Sequence, residues 1–382
     1  MTWIRSILAM TLIWGLTIGS SQSQEIGQDR IIRVLISENQ SAVKLTVLGN
    51  YQIYDFEDKS QRSSSRRLMG VKVRANTDHL LIAGVRFPKS VQIFSSDERD
   101  LYINDQPFRG SIVIHLLSNN TLQVINYIDV EDYLYGVLFH EVGAWWPMSA
   151  LKAQAVASRT YALYEKSVKK NKTFDVFNNQ SSQMYGGADS ERSRSNQAVN
   201  ETRGEVLTYD GKIFPTFYHA TCGGLTRDAS ELWNIDIPPL DGNIKCQHCW
   251  FSPHFSWDAK FSLHEVQKVL EQHRAWVGQI NDLQVDSRAL SERVLTILLK
   301  GPYGQKEINA KDFRLWLGPT VIRSENFEIT TDRDKVLFAG KGWGHGVGMC
   351  QWGALGLSIM RRDYREILGF YYPYGEIVKN YE

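Results

Sequence analysis

The spacing of apolar residues changes at Asp129, and this change limits the possible folds more than any other feature. Residues 31–128 contain short apolar runs between polar turns, many of them alternating with polar residues, such as "AVKLTVL" and "SIVIHLL". A period of two residues is typical of β-strands. From Asp129 onward, "DVEDYLYGVLFHE" and "MSALKAQAVASRTYALYEKSVKK" space their apolar residues three and four apart, as amphipathic helices do. The sequence therefore predicts an α+β fold, with a β-rich body and a few amphipathic helices lining a cleft.

The length of 382 residues favours about two domains, or one domain with large insertions. We expect an N-terminal β-rich region over 24–128 and a second region over 129–382 that includes a Cys/His-rich insertion at about 219–254. Lysine plus arginine (43) nearly balances aspartate plus glutamate (42), so we expect no nucleic-acid partner. The glycine-rich "GKGWGHGVG" lacks the G-K-[ST] ending of a phosphate loop, and we expect no organic cofactor.

Residues 1–23 have the pattern of a secretory signal peptide. Arg5 precedes an apolar run from Ile7 to Ile18, and small residues follow up to Ser23. We therefore expect export, with cleavage near Ser23. An uncleaved membrane anchor is the alternative interpretation, although the apolar run is shorter than the roughly 20 residues that cross a bilayer.

Glu141 lies between the two predicted helices, before a Gly-Ala-Trp-Trp-Pro turn and a predicted N-cap at Ser149. Lys152 and Arg159 are seven residues apart in the second helix, so they occupy nearly the same face. Tryptophans that exclude water raise the pKa of a carboxyl group, whereas cations lower it. The pattern fits either a reactive carboxyl group or a buried ion pair of Glu141 with Lys152 or Arg159.

The cysteines suggest a metal site. "HATC" is followed by "CQHC", and paired, closely spaced ligands are typical of closed zinc sites. We predict a structural zinc site with three cysteines and one histidine as ligands: Cys222, Cys246, Cys249 and His219. His248 and His254 are alternative fourth ligands. A disulfide with one free thiol is the alternative to metal, because an exported protein meets oxidising conditions.

The fourth cysteine, Cys350, is far from the others in sequence, and we expect a small buried thiol. A nucleophilic pair of Cys350 with His345 is a less favoured alternative. Between these regions, residues 263–284 are expected to form one helix with four apolar residues on one face: Leu263, Val266, Val269 and Leu270.

Four segments together resemble the SpoIID/LytB family in order over residues 30–382: "EDYLYGVLFHEVGAWWPMSALKAQAVASRTYAL", "YHATCGGLT", "GWGHGVGMCQWGALGLS" and "EILGFYYPYGEI". The resemblance implies a peptidoglycan lytic transglycosylase of the cell envelope that acts on glycan strands stripped of stem peptides. It implies Glu141 as the catalytic acid and a set of substrate-binding residues: Lys152, Arg159, Gln183, Tyr185 and His345. Some members bind zinc through a histidine and cysteines in this region. Cys350 stands where the family is expected to have serine.

The implied chemistry needs one carboxyl group. Acting as an acid, it protonates the glycosidic oxygen between MurNAc and GlcNAc. It then accepts the proton of the MurNAc C6 hydroxyl, which closes onto C1 as a 1,6-anhydro ring. Because no water attacks, the second carboxylate of ordinary glycoside hydrolases is not required. A cationic helix face could hold the lactyl carboxylate.

Two other functions fit the sequence less well. One is a non-catalytic, cell-wall-binding amidase enhancer of the LytB type, with a cell-wall amidase as a partner. The other is a zinc amidase, which needs an open three-ligand site with a bound water, and the cysteine cluster is the best set of ligands that the sequence offers.

Overall fold

The computed structural model of the protein describes residues 30–170 and 172–382. The predicted signal segment, 1–23, lies outside the described residues. Within the described ranges, no helix is long and apolar enough to cross a membrane. The predicted α+β fold with a β-rich body is confirmed.

The first part of the chain contains twelve β-strands among its described residues, several of which, such as β2 and β3, alternate buried residues with more exposed ones. Their bounds are β1 Ile31–Gln40, β2 Ala42–Val47, β3 Tyr51–Asp55, β4 Gln61–Ser65, β5 Leu68–Ala75, β6 Leu80–Ile82, β7 Val85–Phe87, β8 Ser90–Ser95, β9 Leu101–Ile103, β10 Gln106–Phe108, β11 Ser111–Leu116 and β12 Leu122–Asp129. Strands β10-β9-β2-β5-β6-β7 form a six-stranded sheet. Strands β1-β12-β11-β8-β3-β4 belong to a seven-stranded sheet. Residues of both sheets, such as Val34 and Leu45, share one hydrophobic core.

The second part begins with two helices, α1 Val130–Glu141 and α2 Met148–Val168. It continues with β13 Val176–Phe177, α3 Ser193–Glu201, β14 Glu205–Tyr209, β15 Lys212–Ile213, β16 Tyr218–His219 and α4 Ser230–Trp233. Strand β13 pairs in parallel with β1 and completes the seven-stranded sheet. Helix α2 is buried on nearly all sides from Ala150 to Leu163, because its many alanines let neighbouring elements approach closely. It therefore lies at the centre of the molecule.

Residues 256–341 form a module with its own hydrophobic core. Its elements are β17 Ser256–Ser262, α5 Leu263–Gln272, β18 Asp282–Arg288, β19 Val294–Gly301, β20 Gly304–Asn309, α6 Ala310–Leu317, β21 Phe327–Asp332 and β22 Lys335–Lys341. They make two three-stranded sheets, β17-β22-β21 and β18-β19-β20. The module begins and ends at one point, since the Gly342 N–H donates to the Phe255 carbonyl at 2.9 Å.

The chain then returns to the body with β23 Met349–Cys350, α7 Gln351–Ile359, α8 Tyr364–Tyr371 and β24 Glu376–Lys379. Strand β23 pairs in parallel with β16, placing Tyr218 opposite Met349 and His219 opposite Cys350. Strand β24 joins β14 and β15 in a three-stranded sheet. The last segment of the chain therefore packs against the β16 region, about 130 residues earlier.

Two local predictions are wrong. Helix α2 begins at Met148 with Pro147 at its N-cap, so Ser149 already lies inside the helix. The single helix expected over 263–284 ends at Gln272, where Arg274 takes a positive φ of 60°. The chain leaves the helix there and continues as β18 from Asp282, although Val266 and Leu270 are buried as the pattern indicates.

Candidate active site

Glu141 is the last residue of helix α1, and the chain leaves the helix in an extended conformation at Val142. This position brings the carboxyl group to the wall of a cavity of about 600 Å³. Its Oε1 accepts a hydrogen bond from the Met184 backbone N–H at 2.9 Å. Glu141 also accepts hydrogen bonds from the side chains of Tyr218 and Gln351. Three separate segments therefore converge on this carboxyl group.

Tyr218 is oriented by a chain of hydrogen bonds behind the cavity wall. The Tyr133 hydroxyl donates to Gln183 Oε1 at 3.0 Å. The Gln183 side-chain amide donates to the Tyr218 hydroxyl oxygen at 3.0 Å and to the Ser158 carbonyl at 3.2 Å. The Tyr218 oxygen thus accepts from Gln183, and its proton is free to bond Glu141.

Removal from bulk water raises the pKa of Glu141 to about 7. The hydrogen bonds from Met184, Tyr218 and Gln351 lower the pKa and offset part of this effect. A position at the C-terminal end of a helix also disfavours the anion, because the helix dipole is negative there. A carboxyl group with such a pKa can both give and accept a proton near neutral pH.

The cavity has aromatic walls and a single acidic group. Among the described residues that line it, Glu141 is the only carboxyl group. Trp146 and Trp352 pack edge to face with their centroids 5.7 Å apart, while Trp145 is 71% exposed at the cavity. Exposed tryptophan faces are suitable surfaces for flat ligands with polar edges, such as sugar rings.

A second cavity of about 410 Å³ continues the first. The two share four lining residues, Gln180, Ser182, Tyr218 and His345, so together they form one groove. Phe217 and Trp233 stack at 4.2 Å in the second cavity. The groove is thus long enough to extend to both sides of Tyr218.

His345, one of the predicted binding residues, lines both cavities. Its Nδ1 accepts from the Val347 N–H at 3.1 Å. Burial, helped by the charges of His219, Arg293 and Arg314, lowers the pKa of His345 well below its usual value. The ring is therefore neutral at the groove.

Arg159 and Lys152 do not line the groove, and the contact of these two residues with substrate stays a prediction. Arg159 is fully buried and forms a bidentate ion pair with Glu131, at 3.0 and 2.7 Å. Lys152 pairs with Glu201 of α3 at 2.5 Å. The alternative of an ion pair with Glu141 is wrong, because both cations have other partners.

Gln183 and Tyr185 are likewise behind the groove wall. Gln183 is 1% exposed and orients Tyr218. The Tyr185 hydroxyl donates to Asn126 Oδ1 at 2.8 Å, and its ring packs 5.1 Å from Tyr133. Both residues lie in the layer that supports the groove wall, and their contact with substrate stays a prediction.

Four buried cysteines form one cluster: Cys222, Cys246, Cys249 and Cys350. Their sulfur atoms all lie within 4.8 Å of one another, and the sequence alternative of a disulfide is not observed, since all four are free thiols. The predicted ligand set is therefore corrected in one residue. Cys350 takes the place proposed for His219, because β23 pairs with β16 and brings Cys350 to the other three.

The cluster has the properties of a tetrahedral metal site. Four sulfurs at about 2.3 Å from a Zn²⁺ ion lie roughly 3.8 Å apart, and Cys222 Sγ to Cys249 Sγ is 3.5 Å. Backbone N–H groups of Cys222 and Gly353 point at Cys350 Sγ, each at 3.3 Å. The donor set and its surroundings fit a closed structural site.

Sequence comparison places the chain in a family. A relative from Brachyspira hyodysenteriae, an uncharacterized protein, is 34% identical over 351 residues, covering 91% of this chain and 93% of its own length. A model of the SpoIID family, described as stage II sporulation protein, matches residues 118–209. The chain belongs to the SpoIID family. Stage II sporulation protein D of Bacillus amyloliquefaciens is 28% identical, covering 69% of this chain and 77% of that protein.

The amidase enhancer of Bacillus subtilis is also 28% identical, over 63% of this SpoIID-family chain. The chain spans only 39% of the length of that relative. A second model, described as a domain of unknown function (DUF8618), matches residues 247–348. This match includes the whole 256–341 module, whereas the SpoIID match includes Glu141, Lys152 and Arg159.

Sequence reasoning missed the groups that contact Glu141 in this SpoIID-family protein. Tyr218 stands directly before the "HATC" motif, and Gln351 follows Cys350 in "GVGMCQWG". Both motifs were noted for their cysteines and glycines. Their partnership with Glu141 depends on the pairing of β16 with β23, two-residue strands that no periodicity reveals. The Met184 N–H gives no side-chain signal at all.

Proposed function

We propose that this protein is a lytic transglycosylase that cleaves MurNAc–GlcNAc bonds of peptidoglycan glycan strands. The observation that carries the proposal is the single carboxyl group of the first cavity, Glu141, whose pKa is about 7. Hydrolases that retain or invert need two carboxyl groups at the scissile bond. A lone carboxyl group suits a reaction in which the substrate supplies its own nucleophile.

In the proposed reaction, protonated Glu141 donates its proton to the glycosidic oxygen as the C1–O bond breaks. The MurNAc C6 hydroxyl attacks C1 and passes its proton to the Glu141 carboxylate. The products are a 1,6-anhydro-MurNAc end and a free GlcNAc hydroxyl, and the protonated acid is regenerated. Tyr218 and Gln351 hold the carboxyl group and stabilise its anionic form between the two proton transfers.

We also propose that the four cysteines hold a structural zinc ion. Bound zinc would join Cys222, which follows β16, to Cys350, which ends β23. Strand β16 carries Tyr218, and helix α7 begins with Gln351 directly after Cys350. Metal analysis of the purified protein should find about one zinc per chain. Cys350→Ala should remove it and His219→Ala should keep it. The opposite pattern would restore the histidine as fourth ligand.

Export to the cell envelope follows as part of the proposal, since peptidoglycan lies outside the cytoplasmic membrane. The candidate signal segment is 1–23. N-terminal sequencing of the protein recovered from the envelope should start near residue 24. A start at Met1 would support the membrane-anchor alternative.

The test of the enzyme is digestion of peptide-free glycan strands, with mass spectrometry of the products. Wild-type protein should make anhydro-MurNAc ends, and Glu141→Gln should not. A matched control is Glu328→Gln, since Glu328 is an exposed carboxylate that lines neither cavity. Reducing ends would mean hydrolysis instead.

A second candidate function is binding of the cell wall to enhance an amidase, because one relative is named amidase enhancer. Absence of cleavage by folded protein that contains its metal would favour this function. The same protein should then increase wall digestion by a cell-wall amidase, and Glu141→Gln should do so equally well.

A further inference from the structure

The inserted module contributes one side chain to the cavity that holds Glu141. This residue is Arg314 of helix α6. Among the described residues that line the cavity, it is the only lysine or arginine. The cations that sequence analysis assigned to substrate, Lys152 and Arg159, have partners elsewhere. A positive charge at this cavity therefore comes from the module.

Arg314 is held in place by its own module. Its Nε donates to the Ile322 carbonyl at 2.9 Å, and Nη2 donates to the Arg323 carbonyl at 3.1 Å. Its ion pair with Glu325 is long, 3.8 Å between Nη1 and Oε1. The side chain is 12% exposed, so the guanidinium group is fixed in direction before any ligand arrives.

Positive charge exceeds negative charge where the module meets the body. The arginines there outnumber the glutamates: Arg227, Arg293, Arg314 and Arg323 stand beside Glu231 and Glu325. Arg293 donates to the Cys222 carbonyl at 3.1 Å and so lies by the cysteine cluster. Arg323 lies 5.1 Å from the ring centre of Trp343, which lines the cavity. Arg314 and Arg323 are thus the charges on the groove side.

The same cavity contains an unused hydrogen-bond acceptor. His219 Nδ1 lies 3.0 Å from the Val347 carbonyl, which can only accept, so Nδ1 carries the proton. Its Nε2 is then a bare acceptor, and it has no hydrogen-bond partner among the described residues. The His219 side chain is 4% exposed and lines the cavity. A buried acceptor without a partner is costly unless a ligand supplies the donor.

We propose that Arg314 binds a carboxylate of the substrate, and that His219 Nε2 accepts an N–H or O–H group of the same sugar unit. This inference rests on the proposed function, because it names the part of the glycan that the groove recognises. A carboxylate on a glycan strand has two sources, the lactyl ether of MurNAc and the stem peptide. In the first case amidase action uncovers the group, because the peptide is joined through that carboxyl.

The test is isothermal titration calorimetry with the full mature chain carrying Glu141→Gln, so that ligands stay intact. The ligands are the tetrasaccharide of GlcNAc and MurNAc with free lactyl carboxyls, its methyl ester, its peptide-bearing form, and chitotetraose. We expect the free acid to bind about tenfold or more tightly than the ester. Adding Arg314→Gln should remove this difference. Adding Arg288→Gln should keep it, because Arg288 pairs with Glu328 and lines neither cavity.

Chitotetraose, which has no carboxylate, checks that Arg314→Gln leaves the rest of the groove intact, since its affinity should not change. If the affinity of the peptide-bearing ligand equals that of the ester, the carboxylate that Arg314 binds is the lactyl group. If it binds through Arg314 as tightly as the free acid, the peptide is the source. Equal affinity for acid and ester, or a difference that survives Arg314→Gln, would overturn the inference.

These results separate the inference from the proposed function. A carboxylate preference that depends on Arg314, in a protein that does not cleave glycan, would keep the site and reject the transglycosylase. Cleavage of glycan by a protein that shows no carboxylate preference would keep the transglycosylase and reject the carboxylate site. Failure to bind any of the four ligands would reject both.

Discussion

Helix α1 carries one glutamate near each end, and the two have opposite surroundings: Glu131 is fully buried, whereas Glu141 lines the cavity. Glu131, in the first turn, accepts two hydrogen bonds from Arg159, one from the Gly204 N–H and one from the Tyr381 hydroxyl. Glu141, at the last turn, accepts hydrogen bonds from neutral groups only. The helix dipole favours a negative charge at the first position and disfavours it at the second.

The difference separates a carboxylate that is held in an ion pair from a carboxyl group without a cationic partner. Glu131 has a permanent cation as its partner, and through Arg159 and Tyr381 it joins α1 to α2 and to the end of the chain. Glu141 has donors that can stabilise an anion but no cation to hold it in that form. A proton can therefore move on and off Glu141 at moderate cost.

Among the variants that test the difference between Glu131 and Glu141, Arg159→Met should cause the largest loss of stability. The substitution leaves the Glu131 carboxylate buried without its cation, which typically costs about 3–5 kcal/mol of unfolding free energy. Urea denaturation followed by fluorescence measures the loss. The double variant with Glu131→Leu should recover much of it, because an apolar pair of similar volume needs no counter-charge. A loss under about 1 kcal/mol would show that the pair is not a structural requirement.

The second effect is the pH dependence that Glu141 gives to stability. The pKa of Glu141 is raised from 4.5 to about 7 in the folded protein. The contribution of this group to the free energy of unfolding is therefore complete at pH values below its pKa in the unfolded chain. That contribution is lost as pH rises through about 7, by up to roughly 3 kcal/mol. Glu141→Gln should therefore become more stable than wild type at pH 8.5 but not at pH 4.5, in denaturant titrations at both pH values. A pH-independent difference would mean that Glu141 is not buried as a neutral acid.

A smaller effect is expected from Tyr218→Phe. Loss of its hydroxyl removes a hydrogen bond that lowers the pKa of Glu141, so the alkaline limb of the pH–rate profile for glycan cleavage should move to higher pH. The rate at the optimum should fall about tenfold, corresponding to one hydrogen bond to a charged group. Tyr135→Phe is the matched control, since the Tyr135 hydroxyl donates to Asn200 at 2.6 Å, on another surface. An unchanged pH profile would place Tyr218 outside the proton-transfer step.

Features that depend on local sequence patterns could be predicted from the sequence. The strands before Asp129, the two helices around Glu141 and the α+β class follow from the period of apolar residues, because each depends on local burial. The three cysteines Cys222, Cys246 and Cys249 could be grouped because ligands of a metal site often come in closely spaced pairs.

What could not be predicted depends on contacts between distant segments. Lysine or arginine on a helix face looks the same in sequence whether the face meets a ligand or another carboxylate, and only the approach of Glu131 decides the role of Arg159. Cys350 joins the cluster through a two-residue strand pair. The compact module over 256–341 was not recognised as a unit because its short strands and helices resemble the rest of the chain.

The smallest effect should come from Lys152→Met, and it tests the comparison most directly. Lys152 pairs with Glu201 at a partly exposed position, with side chains 22% and 39% exposed, and ion pairs that water can reach contribute little to stability. If Lys152 and Arg159 both support the structure, the Lys152→Met variant should unfold almost like wild type and cleave glycan with the same kcat/KM. A tenfold loss of kcat/KM with unchanged stability would instead return Lys152 to the substrate, as the family resemblance implies. The groove would then have to rearrange on binding, since no lysine lines its described walls in the free protein.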